Sequence, residues 1–200
     1  ELTRELVAVM AAHPRRICPH LHVSMQSGSD AVLRRMRRRW GSRRFVDRCA
    51  LVRESLDLPA LTTDIIVGFP GESEHDFADT CRVAEDVGFS KIHIFPFSAR
   101  RTTPAADMPD QIPPDVKAER ARRLASLESE LRRRYFMRLI GHKLEVLVGA
   151  AASRPGFVTG TSCRYAPVEL PGGPELVGRF VTVEVHEALD EHVIGVPISA

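Results

Sequence analysis

Thr62-Thr63-Asp64-Ile65-Ile66-Val67-Gly68-Phe69-Pro70-Gly71-Glu72-Ser73 is the stretch of this 200-residue chain best suited to holding a small molecule. A run of β-branched residues ends there in a turn bracketed by two glycines, so backbone N–H and C=O groups can come close to a ligand with no side chain between. Gln26-Ser27-Gly28-Ser29-Asp30 offers a second group of donors and acceptors at the end of another extended run. His20, His22 and His93 raise metal chemistry. His20 and His22 share one face of a strand, but a zinc site needs a third protein ligand and an open or fourth position, so packing or hydrogen bonding is expected of them and no metal site. Cys18, Cys49, Cys81 and Cys163 are too dispersed for a disulfide framework or for a shared iron–sulfur cluster, whose thiolates come from a tight loop; buried, unpaired thiols are expected. No acid or base is assigned.

The elements that must carry these groups are legible from periodicity. Strands are expected over His20–Met25, through Ile65-Ile66-Val67, and over Lys91–Phe97, with helices over Ala31–Arg39, Ser42–Leu56 and Ser73–Val87 between them; this is a β-α-β-α-β order. Ser73 caps the last of these helices with Asp76 near its positive end, and Gly88 stops it. Phe45, Cys49, Val52 and Leu56, and likewise Phe77, Thr80, Cys81, Ala84 and Val87, form core-facing stripes. A longer helix starts at Pro113-Pro114 and ends at Gly141, with Val116, Leu124, Leu127, Leu131, Tyr135 and Leu139 at helical spacing. Beyond it the pattern turns to five short strands between glycine and proline turns, which suggests a small closed antiparallel barrel.

His20 to Asp30, the basic stretch to Trp40, Thr62 to Glu72, Ser90 to Ser98, Thr103-Pro104-Ala105-Ala106 and Met108-Pro109-Asp110-Gln111 together resemble the radical S-adenosylmethionine methylthiotransferases of tRNA. The closest likeness is to the branch acting on N6-threonylcarbamoyladenosine; the isopentenyladenosine and ribosomal-protein branches share the Gln-Ser-Gly-Ser and Gly-Phe-Pro-Gly-Glu elements. The resemblance implies an α/β fold, a partial radical SAM (β/α) barrel over residues 1–136 followed by a small all-β, OB-like TRAM barrel over 137–200. It implies S-adenosylmethionine as cofactor, with Gln26, Ser27, Ser29, Asp64, Ile66, Gly68, Phe95 and Phe97 as its candidate contacts. Asp64, Ile66 and Gly68 fall on the first fixed positions of an adenine-binding Gly-x-Ile-x-Gly-x-x-Glu motif, with aspartate replacing the first glycine and Glu72 one residue late. The family's [4Fe-4S] cluster needs Cys-x-x-x-Cys-x-x-Cys, which this chain lacks. It is therefore expected to be a C-terminal fragment, inactive alone, whose partners are tRNA and a missing N-terminal part of the same enzyme.

Charge is segregated along the chain. Residues 1–60 carry 12 − 6 = +6 and residues 143–200 carry 4 − 7 = −3, within a net +2. Arg34 to Arg44 form one basic cluster, from which Arg37, Arg38 and Arg39 are expected to meet RNA phosphates. A second runs from Arg120 to Arg138 along the long helix. In the acidic tail, RNA contact has to rest on Lys143, Arg154, Arg164 and Arg179. No apolar run is long enough to span a membrane, and no signal segment opens the chain, so neither membrane nor DNA is an expected partner and a cytoplasmic location is the simplest reading.

Overall fold

The computed structural model describes residues 2–198. Its first unit is a three-stranded parallel sheet in the order β1 (His20–His22), β2 (Ala60–Val67), β3 (Lys91–Pro96). The connecting segments hold α2 (Asp30–Arg35), α3 (Ser42–Ser55) and α4 (Glu74–Val87), and α1 (Arg4–Ala12) precedes the sheet. Leu61, Thr63, Ile65 and Val67 are buried. Leu61, Ile65 and Val67 share a core with Phe45, Cys49 and Val52 of α3 and Phe77, Ala84 and Val87 of α4. Side chains alternate along a strand, so Thr62, Asp64 and Ile66 project from the opposite, open face.

α4 begins and ends for the local reasons its sequence supplies. Ser73 and Asp76 form a reciprocal capping box, and Gly88, at φ +60, closes the helix in the left-handed conformation. Two expected elements are shorter than their sequence suggests. β1 stops at His22, although Val23 N–H still bonds Thr62 O and Gln26 N–H still bonds Asp64 O. α2 stops at Arg35, and Arg37 is left-handed at φ 57, so Arg37, Arg38 and Arg39 lie on a loop rather than on a helix face.

α5 (Pro114–Leu139) joins the two units. Leu124 and Leu131 belong to the core of the first, while Tyr135, Phe136 and Leu139 belong to that of the second. The second unit closes as a barrel of β4 (Lys143–Ala151), β5 (Phe157–Ser162), β6 (Pro167–Pro171), β8 (Val193–Pro197) and β7 (Phe180–Ala188), in that order. It is not wholly antiparallel as the tail pattern suggests: β6 and β8 pair in parallel through Val168–Val193 and Glu169–Ile194. Strand pattern alone does not specify which strands become neighbours at closure. Ala60, at the start of β2, is packed into the barrel core, so the two units meet at the leading ends of the parallel strands.

Candidate functional site

Strand register stacks the open face into layers. Asp64 is opposite His93, and Ile66 is opposite Phe95. Gln26, held at φ 69 and bridged in parallel to Ile65, lies between the two pairs. Of the candidate cofactor contacts, Gln26, Asp64, Ile66 and Phe95 are thus brought together, with Phe95 half exposed. Beside them opens a cleft of about 270 Å³, lined by Gln26, Ile66, Phe69, Arg38, Pro104 and Met108. An amide, an aliphatic side chain and an aromatic ring next to such a cleft can take a flat heteroaromatic ligand. Phe97 stands apart, packed edge-on against Phe69 at 5.2 Å with Lys117 Nζ over its ring.

Ser27 and Ser29 turn away from this face. Ser27 Oγ lies 3.2 Å from Thr80 Oγ1, while Ser29 Oγ caps α2 and donates to Asp76 Oδ1 at 2.5 Å. Burial works against ionisation of Asp76, yet the hydrogen bonds from Ser29 and Ser73 hold its carboxyl below the usual range. Gly28 has no side chain because a Cβ there would come within 2.6 Å of Thr80 Cα, so its freedom serves the packing of α4. These three positions build the loop that presents Gln26 and do not themselves face the cleft.

The glycine turn is likewise internally held. Gly68 N–H donates to Glu72 Oε2 at 2.7 Å, and Arg120 Nη1 donates to the same oxygen at 2.8 Å and to Glu72 O at 3.0 Å. Burial pushes the Glu72 carboxyl up, and Gly68 and Arg120 act against that. A side chain at Gly68, whose φ is +72, would run into Lys117. The space that glycine leaves is therefore filled by the protein, which corrects the expectation of open ligand approach at Gly68.

The basic clusters separate in the structure. Arg37, Arg38 and Arg39 are exposed, and none is in an ion pair among the described residues. Along α5, by contrast, Arg120 pairs with Glu72, Arg123 with Glu74, Arg122 with Glu119, Arg132 with Glu128 and Glu191, and Arg134 with Glu130. That stripe is largely neutralised, in part by partners at i,i+3 and i,i+4 spacing, Glu119, Glu128 and Glu130, and in part by Glu72, Glu74 and Glu191 from distant segments. In the barrel, Lys143 and Arg179 are exposed, and Arg154 is exposed but stacks on Phe157 at 3.8 Å. The Arg164 side chain is largely covered and pairs with Asp57 across the two units at 2.8 Å, so it is engaged within the protein. Phe180, 68% exposed, offers the barrel a free aromatic ring.

The thiols do not gather: Cys18 is exposed, Cys49 buried, Cys81 and Cys163 intermediate, and burial pushes Cys49 up to about 12. No helix among the described residues is long and apolar enough to cross a membrane.

Residues 1–84 match the radical SAM superfamily and residues 138–197 match the TRAM domain. The chain is 40% identical over 201 residues to a tRNA-2-methylthio-N(6)-dimethylallyladenosine synthase of Nocardioides sp., covering 97% of this chain and 40% of that protein. A synthase of the same name from Acidothermus cellulolyticus is also 40% identical, with 98% of this chain and 41% of the relative covered. A threonylcarbamoyladenosine tRNA methylthiotransferase of Chlamydia pneumoniae is 41% identical over 182 residues, covering 90% of this chain and 43% of that protein. The chain thus spans about two fifths of the length of these relatives.

Proposed function

We infer that this chain, which belongs with the radical S-adenosylmethionine tRNA methylthiotransferases, is the part of such an enzyme that positions S-adenosylmethionine and tRNA. The layer of Gln26, Ile66 and Phe95 beside its cleft carries this reading. In it Gln26 bonds polar edges of the cofactor, Ile66 and Phe95 wall the adenine, and Asp64 lies one layer below. Ser27, Ser29 and Gly68 hold the loops, and Phe97 supports Phe69. The cofactor supplies the radical chemistry when bound; these side chains bind and orient. The four dispersed thiols do not fit a [4Fe-4S] cluster, so its ligands belong to residues other than these, and the chain alone is expected to be inactive.

In this reading the first unit, residues 1–136, holds the cofactor and shares the tRNA with the second, residues 137–200, with α5 common to both, and a cytoplasmic location follows from the substrate. On the RNA side we assign phosphate contacts to Arg37, Arg38 and Arg39 and barrel contacts to Lys143, Arg154 and Arg179. For the modified base, the polar open face with His22, Asp64 and His93, backed by the buried Thr62 hydroxyl and by His20, favours the threonylcarbamoyl group, whose carbonyl and carboxylate oxygens need hydrogen-bond donors. The names of the Nocardioides and Acidothermus relatives favour dimethylallyladenosine as the second reading.

Calorimetric titration of the 200-residue chain with S-adenosylmethionine tests the cofactor assignment. Gln26→Ala and Ile66→Lys should each weaken binding by about tenfold, roughly 1.4 kcal/mol, and Phe97→Leu should leave it near wild type. Unchanged affinity in both Gln26→Ala and Ile66→Lys, with circular dichroism showing folded chains, would remove the site from this face.

A further inference from the structure

The layer below the candidate adenine wall holds two imidazoles and a carboxylate whose convergence the linear sequence conceals. Asp64 and His93 are register partners on β2 and β3, and His22 reaches them from β1. His22 Nε2 lies 3.2 Å from Asp64 Oδ2, and one ligand atom from each of the three residues falls within 4.8 Å of the others. We propose that His22, Asp64 and His93 bind a divalent transition cation of the Zn²⁺, Co²⁺ or Fe²⁺ class. Two histidines and one carboxylate are an established donor set for such ions, and they leave coordination positions for an outside ligand.

The geometry needs little adjustment. Bonds of about 2.0–2.1 Å in a tetrahedral site put ligand atoms roughly 3.3 Å apart, so closure from 4.8 Å is a matter of rotamer shifts on partly exposed side chains. The orienting group is already present: Thr62 Oγ1 lies 3.1 Å from His22 Nδ1 and 3.1 Å from His20 Nε2. In the His22 tautomer protonated at Nδ1, Thr62 Oγ1 accepts that proton and the Nε2 lone pair faces Asp64, with Ser24 Oγ also 3.3 Å from that nitrogen. A proton on Nε2 joins only His22 and Asp64, whereas a metal ion engages His93 as a third donor. Hydrogen bonds of this kind are the usual means of fixing a ligating imidazole. The open coordination positions lie on the same face as Ile66 and Phe95, where an oxygen or nitrogen of a bound molecule can complete the shell.

Cobalt binding tests this without S-adenosylmethionine, tRNA or turnover, so its result is independent of the methylthiotransferase reading. The chelator-treated chain is titrated with Co²⁺ alone and the visible d–d bands are followed. The bands should saturate at one equivalent and be displaced by Zn²⁺. His93→Ala and Asp64→Ala should abolish them, and Thr62→Val should weaken binding by about 10–100-fold. His75→Ala and His192→Ala, at histidines 3.7 Å from Asp79 and 4.0 Å from Glu169, should change nothing. Absence of saturable bands in the wild-type chain would mean that a proton alone joins His22 and Asp64, and bands that survive His93→Ala would place the metal elsewhere; either outcome overturns the proposal.

Discussion

Glu72 shows how a single side chain can fix a loop. Its carboxylate is buried and one oxygen, Oε1, has no hydrogen-bond partner, while Oε2 receives both Gly68 N–H and Arg120. A buried ion pair is weak support for stability in itself, but removing one partner strands the other charge. Arg120→Met should therefore cost about 3–5 kcal/mol in urea unfolding, and the added substitution Glu72→Gln should recover part of it. Equal stability of the single and double variants would mean that the pair is not coupled. This pairing was not legible in the sequence, because Arg120 lies 48 positions from Glu72 and reads as one more cation on a helix. The fates of Ser27 and Ser29 were hidden for the same reason. Their types advertise donors, and only the packing of α4 shows that Thr80 and Asp76 claim them. The place of Gln26 at the end of an extended run, by contrast, was legible from its neighbours in the chain.

At the scale of elements, the loop from Arg37 to Arg39 presents exposed cations, whereas the longer arginine stripe on α5 is largely paired. Exposed cations without internal partners can release counterions from a nucleic acid; paired ones first have to give up a carboxylate. Replacing Arg37, Arg38 and Arg39 together by glutamine should weaken tRNA binding and lower the log–log salt slope by roughly 0.7–0.9 per lost phosphate contact. Replacing Arg122 and Arg134 should leave the slope unchanged. An unaltered slope in the triple variant, measured by filter binding over a salt series, would assign those arginines to solvent. The strands, the caps of α4 and the limits of α5 were readable because they follow local rules of periodicity, capping and proline placement. The pairing of β6 with β8, and the meeting of His22, Asp64 and His93, depend on register between distant strands, which no local rule supplies.

For the whole molecule, the contact between the units sets a pH dependence. His20 stacks on Tyr165 at 4.3 Å with the rings 6° from parallel, and Tyr135 Oη donates to Leu58 O at 3.0 Å close by. Burial, with His22 as the smaller cause, pushes the His20 imidazole below its usual 6.5. The unfolded chain then binds a proton at a pH where the folded one does not. This contribution is complete above the unfolded value and is lost as pH falls through the interval below 6.5. Relative to wild type, His20→Gln should be less stable at neutral pH and close the gap on acidification; a difference in Tm that is constant from neutral to acidic pH would contradict this. The continuity of α5 also has a consequence during synthesis. Tyr135, Phe136 and Leu139 leave the ribosome on a finished helix before any strand of the barrel that buries them exists. At roughly 5–20 residues per second the sixty or so residues that form the barrel take about 3–12 s. For that interval the last turns of the helix present a bare aromatic surface, and a nascent chain that stalls there becomes a substrate for chaperones.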